Sequence, residues 1–187
     1  MVSLTIAGLL SLAWAVAALW VGPAVGWVDR PDNPDLKVHE RPAVPLGGIG
    51  VFLGVHIALI VSGRLDGGLL AATAIVLVLG LVDDRVGLSP VTRLVVEAVA
   101  GVVLVTTADG AVTGWFGVVV GTALVVFAIN AVNLYDGLDG LVGATAAVSA
   151  LGLAWLTGAQ FAGDPVFGLV LAGALAGFLV MNWNPAK

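Results

Sequence analysis

The chain has 187 residues, of which 60% are hydrophobic and only 10% charged, and its mean hydropathy is +1.12. That composition excludes an ordinary soluble domain and indicates an integral membrane protein. A formal charge of −5 with no basic patch argues against nucleic acid as a partner. The absence of Cys excludes disulfides and thiolate metal sites in this chain.

Polar interruptions divide the sequence into apolar segments near 2–25, 46–63, 67–82, 93–108, 115–134, 141–158 and 166–183. Each is about long enough to cross a bilayer at roughly 1.5 Å per residue. The expected fold is therefore all-α, a polytopic bundle of about seven transmembrane helices forming a single integral membrane domain over residues 1–187. The first segment lacks the basic start of a signal peptide and reads as a retained helix, although Ala15-Val16-Ala17 imitates a cleavage site. Arg30, Lys37 and Arg41 fall in the first loop, Arg85 and Arg93 around the third, and Lys187 after the last helix. The positive-inside rule then puts the N-terminus outside and loops one, three and five in the cytoplasm, with Arg64 as the exception. Asp66, Asp109 and Asp164 fall on the outer side. Trp20, Trp27, Trp115, Trp155 and Trp183 lie near expected helix ends, where interfacial aromatics collect. Gly173 and Gly177 form a small-xxx-small pair suited to close helix packing.

Three polar constellations interrupt this apolar background. In the first, at 28–50, Lys37, His39 and Arg41 precede a Pro-bounded Gly47-Gly48 that opens the next helix. Cations beside a glycine-rich helix start suit a phosphate, because exposed N–H groups and the helix dipole both favour anions. A positive-inside loop with ordinary turn residues is the simpler explanation of this segment alone. In the second, LVDDRVGLSP at 81–90, the adjacent carboxylates of Asp83 and Asp84 repel each other. Holding both near a membrane surface calls for Mg²⁺, Arg85 or a proton, unless the pair is simply solvated. The third, NAVNLYDGLDG at 130–140, repeats polar residues at every third position: Asn130, Asn133, Asp136 and Asp139. Successive members are neighbours if the helix continues, and Gly137 and Gly140 are expected to loosen it and let the backbone approach a ligand. Asn133, Asp136 and Asp139 offer the hard oxygen donors that Mg²⁺ takes when substrate phosphates complete its shell. A network between helices would use the same groups. Ionisable residues at membrane depth are costly, which favours function.

In this order and spacing the three segments resemble the polyprenyl-phosphate N-acetylhexosamine-1-phosphate transferase superfamily. KVHERPAVPLGG is similar to the first cytoplasmic loop of the branch that uses UDP-GlcNAc, LVDDRVGLSP resembles the family's acidic motif, and NAVNLYDGLDGL matches its Asn and Asp motif almost residue for residue. The resemblance implies a multi-pass enzyme of the bacterial cytoplasmic membrane, with its active face in the cytoplasm. Such an enzyme moves a sugar-1-phosphate, here GlcNAc-1-phosphate, from a UDP-N-acetylhexosamine to a polyprenyl phosphate, releases UMP and starts a lipid-linked cell-envelope glycan such as lipopolysaccharide or teichoic acid. It implies Mg²⁺, or Mn²⁺ in its place, as cofactor, and homodimers occur in the family. Carried over by matching position, Asp83 or Asp84 deprotonates or orients the lipid phosphate. Asn133, Asp136 and Asp139 arrange the metal or the nucleotide sugar, and Lys37, His39, Asn130 and Asn182 contact the substrates. Gly87 stands where some members carry a third acidic residue. FLVMNWNPAK at 178–187 resembles the segment that leads into a Phe-Met-Gly-Asp motif and a later His-rich loop, and neither motif follows here. The resemblance therefore implies the N-terminal part of a family member, inactive or severely impaired unless another chain supplies the remainder.

The other ionisable groups read as structural. Arg93 and Glu97 are four apart and suited to a local pair, with phosphate contact as the alternative for Arg93. His56, alone in an apolar helix, reads as a hydrogen-bonded packing residue. Two other functions compete: an intramembrane prenyltransferase holding Mg²⁺ and a prenyl diphosphate on Asp-rich motifs, and a non-catalytic truncated membrane protein. The spacing in DGLDG and the first-loop pattern both count against the prenyltransferase.

Overall fold

The computed structural model describes residues 1–28, 44–107, 112–160 and 163–183. Among these residues there are seven α-helices and no strand: α1 (Val2–Ala24), α2 (Gly47–Val61), α3 (Gly67–Val86), α4 (Pro90–Thr107), α5 (Trp115–Tyr135), α6 (Leu141–Trp155) and α7 (Val166–Asn182). A π-helical turn at Leu156–Gln160 extends α6. This is the all-α membrane bundle expected. Four of the helices, with α6 counted through Gln160, are long and apolar enough to cross a membrane. The apolar helices α2 and α7 are shorter, at 15 and 17 residues, so they span only about 22–26 Å of a hydrocarbon layer roughly 30 Å thick.

Helix ends follow local chemistry. The Asp66 carboxylate accepts from the Leu69 N–H at 2.6 Å and caps the start of α3. α3 runs four residues beyond its expected end and carries Asp83, Asp84 and Arg85 in its last turn before stopping at Gly87, whose φ of +64° suits glycine alone among common residues. Ser89 accepts from the Thr92 N–H at 3.1 Å just before Pro90 opens α4.

The contacts divide the chain into two compact units, one formed by 1–62 with 138–187 and the other by 63–137. In the first, α1 packs on both α2 and α7, and α6 packs on α7. Backbones come close because glycines leave room. A Cβ on Gly173 would run into the Leu4 carbonyl and one on Gly177 into the Gly8 carbonyl, so α1 and α7 run parallel through the expected GALAG pair. α2 runs antiparallel to α1, with a Cβ on Gly54 falling 2.6 Å from the Ala7 oxygen. The Trp14 indole N–H donates to the Leu46 carbonyl at 2.9 Å and pins the start of α2 to α1. Small residues such as Ala7, Ala58 and Ala174, with Leu59 and Val170, fill this core.

The second unit is antiparallel, with α4 packing against both α3 and α5. Its packing is thinner, since α5 buries no residue. Trp20, Trp115, Trp155 and Trp183 are all exposed. The His56 Nδ1–H donates to the Phe52 carbonyl at 2.8 Å and the ring stacks near that of Phe52, in keeping with a packing role.

Candidate functional site

The acidic motif is built into the α3–α4 turn. One carboxylate oxygen of Asp83 accepts from the Leu88 N–H at 2.8 Å, and the other lies 3.4 Å from the Arg93 guanidinium. Its backbone carbonyl also accepts from Gly87 N–H at 2.8 Å. Asp83 thus ties the end of α3 to the first turn of α4, and both of its carboxylate oxygens are engaged. Asp84, its neighbour in sequence, is exposed, as is Arg85. The expected Arg93–Glu97 pair is not what forms. Arg93 reaches back to Asp83, because the αL turn at Gly87 folds α4 against the end of α3, whereas Glu97 faces α5.

On α5 the Asn130 side-chain N–H₂ donates to the Glu97 carboxylate and to the Val126 carbonyl, the latter at 2.9 Å. Glu97 is 2% exposed. Sequence reasoning assigned it to Arg93, and the only signal that could have pointed to Asn130 was a lone carboxylate on an otherwise apolar stretch of helix. One turn further along α5 come Asn133, then Tyr135 as the last helical residue and Asp136 as the C-cap, both Asn133 and Asp136 exposed. The helix therefore stops inside the motif. Asn130 and Asn133 share α5, but Asp136 leaves it at φ −82°, ψ 65° and Asp139 lies beyond the break. The expectation that glycine loosens the helix is met at Gly140, whose φ is +75°, while the break itself begins before Gly137.

Because α3 and α5 both run antiparallel to α4, the second unit carries its polar groups at one end: Asp83, Asp84 and Arg93 at the α3–α4 turn, Glu97 and Asn130 beside it, and Asn133 and Asp136 at the end of α5. From that end an almost wholly apolar, open groove of about 590 Å³ runs between α4 and α5, lined by Leu94, Ala98, Val102, Val126 and Phe127, with Asn130 at its polar end.

Asp139 and Asn182 belong to the first unit. There the Asn182 side-chain oxygen accepts from the Gly140 N–H at 3.1 Å, tying the start of α6 to the end of α7. Asp139 is half-buried. Lys37 and His39, with Arg41, lie outside the described residues.

As to a metal, no group of three or more His, Asp or Glu side chains is gathered into a cage among the described residues. The donors are hard oxygens, and Asp84, Asn133 and Asp136 are accessible. This fits Mg²⁺ in the mode where one or two carboxylates hold an ion whose shell water and substrate phosphates complete.

Comparison with known proteins places the chain in a family. The family description "Glycosyl transferase family 4" matches residues 67–187, which include the acidic pair at 83–84, the motif at 130–140 and the α6–α7 pair. The chain is 28% identical over 183 residues to a Bacillus subtilis protein named "Probable undecaprenyl-phosphate N-acetylglucosaminyl 1-phosphate transferase", covering 87% of this chain and 50% of that one. It is 30% identical over 198 residues to the decaprenyl-phosphate N-acetylglucosaminephosphotransferase of Mycobacterium tuberculosis (87% and 48%). It is 29% identical over 223 residues to the Mycolicibacterium smegmatis protein of the same name (95% and 54%). The chain thus spans about half the length of the curated relatives it matches. With its motifs, its membrane helices and a family match over most of its length all in accord, this chain belongs to glycosyl transferase family 4, within the polyprenyl-phosphate hexosamine-1-phosphate transferases.

Proposed function

We propose that the protein takes part in transferring N-acetylglucosamine-1-phosphate from UDP-GlcNAc to a polyprenyl phosphate, with release of UMP, as an early step of a lipid-linked cell-envelope glycan. The observation that carries this reading is the joining of two features in the second unit: a polar end holding Asp83 and Asp84 together with Asn133 and Asp136, and an apolar groove that leads away from it between α4 and α5. An amphiphilic phosphate needs both. The groove is of ligand size, roughly 300–1,000 Å³ being typical. A prenyl chain gains little hydrophobic energy by leaving lipid for such a groove, since lipid tails are equally apolar. What the groove contributes is direction, presenting the phosphate at the polar end.

In the reaction a lipid phosphate oxygen attacks the sugar-bearing phosphorus of UDP-GlcNAc, a new P–O–P bond forms, and the bond to UMP breaks. Charge develops on the leaving group, so the site must stabilise anions at fixed positions. Asp83 ties the α3–α4 turn together, and we assign to Asp84, exposed beside it at the end of α3, the role of orienting, or taking a proton from, the lipid phosphate. Arg93, beside Asp83 and 30% exposed in its side chain, is placed to offset phosphate charge. Asn133 and Asp136 hold the nucleotide-sugar side and are the residues that would carry Mg²⁺. When bound, the ion would neutralise diphosphate charge. The relatives' names favour phosphosugar transfer over prenyl transfer, because they join a polyprenyl phosphate to the transfer of N-acetylglucosamine phosphate. We further propose a bacterial plasma-membrane location with this polar end in the cytoplasm, where nucleotide sugars are made.

The test is formation of labelled lipid from radiolabelled UDP-GlcNAc and polyprenyl phosphate, in membranes carrying this chain and in membranes carrying a longer relative. Asp84→Asn and Asp136→Asn, or their counterparts in the relative, should remove nearly all turnover while leaving membrane insertion unchanged. Near-normal turnover in both would refute the assignment, as would labelled product formed only from a prenyl diphosphate donor.

A further inference from the structure

We propose that Glu97 is a positioning residue: from the second turn of α4 it fixes the end of α5 that carries Asn133 and Asp136. Its catalytic consequence rests on the function proposed above, whereas its geometry does not. Glu97 is among the largest fully buried side chains and is 2% exposed, and its carboxylate accepts from Asn130 on the neighbouring helix. The second hydrogen of the same amide is held by the Val126 carbonyl at 2.9 Å. Asn130 is therefore oriented from two sides, three residues before Asn133.

The spacing on α4 gives this contact its meaning. Arg93 and Glu97 are four residues apart, so their side chains leave the helix on nearly the same face. Arg93 engages Asp83 at the end of α3, and Glu97 engages Asn130 on α5. One stretch of α4 thus holds both motif-bearing helices. A slide of α5 by one turn, about 5.4 Å, would strip the amide from a carboxylate that has no water to turn to. Buried polar pairs are best known for setting register in this way. α5 buries no residue, so this polar pair adds to the few close contacts that set its register, those of Gly101 with Thr122 and Gly121 with Val105.

The protein has no Cys, so two exposed positions at the ends of α3 and α5 can be labelled uniquely: Val86→Cys and Leu134→Cys, 65% and 87% exposed. Spin-label distance distributions are then compared for the parent chain, Glu97→Gln and the double variant Glu97→Leu with Asn130→Leu. The double variant removes both polar partners together and leaves no buried orphan, so it should fold. The expected result is a narrow distribution in the parent and in Glu97→Gln, whose amide oxygen still accepts from Asn130, and a shifted or broadened one in the double variant at unchanged helicity. Transfer activity, measured in the same membranes, should fall in the double variant on the order of 100-fold through kcat rather than KM, as misplacement by about 1 Å can cause. Glu97→Gln should keep most of it. A double variant whose distance distribution superimposes on the parent's refutes the positioning role, whatever the activity. A shifted distribution in a chain whose parent transfers no sugar phosphate supports the clamp and counts against the proposed function instead.

Discussion

The close approach of α7 to α1 makes Gly177→Ala an informative perturbation. A Cβ on Gly177 would meet the carbonyl of Gly8 on α1, nearer than real Cβ atoms come to any neighbour, and the obstruction is helical backbone that cannot rotate away. The helices must part, and the neighbouring contact of Gly173 with Leu4 opens with them. Overpacking a tight interface costs about 1–3 kcal/mol, and the rigidity of the obstructing atoms places this case in the upper half. Alanine returns roughly 1 kcal/mol of helix propensity. The net loss is then about 1–2 kcal/mol, a sizeable share of a total that is roughly 5–15 kcal/mol in typical domains. Gly152→Ala on α6, in the same unit, is the matched control: it is exposed, with nothing within 4 Å of the new methyl. There the propensity term acts alone and should stabilise by about 0.5–1 kcal/mol. Reversible unfolding in mixed micelles, followed by helical circular dichroism and Trp fluorescence, measures both. If Gly177→Ala is as stable as the parent or more so, the close α1–α7 contact is not the source of packing energy argued here.

Two further substitutions test local claims. Gly140→Ala places a Cβ on backbone at φ +75° and should destabilise the start of α6 by about 1–2 kcal/mol, seen as a lower unfolding midpoint together with faster amide exchange at Ala144, whose N–H donates to the Gly140 carbonyl. Trp14→Phe removes the indole donor from the Leu46 carbonyl and should cost about 0.5–1.5 kcal/mol, with exchange speeding up at Ile49, whose N–H also depends on that carbonyl. Unchanged exchange at Ile49 would mean that α2 is anchored by something other than Trp14.

Much of this protein was legible without coordinates. Runs of apolar residues long enough to span a bilayer can satisfy their backbone groups only as helices, so hydropathy alone located the seven helices to within a few residues at most ends. The family was legible too, because its chemistry demands acids and amides where membrane composition otherwise forbids them. Tertiary structure decided the partners. Sequence spacing paired Arg93 with Glu97, since i and i+4 are neighbours on any helix. The fold sent one to Asp83 and the other to Asn130, because the turn at Gly87 and the antiparallel course of α5 supply partners from distant sequence. Periodicity likewise drew Asn130 through Asp139 as one helical row, and the chain breaks that row at Asp136. A three-residue repeat records only what a continuous helix would do. Where the helix stops, and which distant groups a carboxylate engages, depends on contacts that form only once the chain has folded.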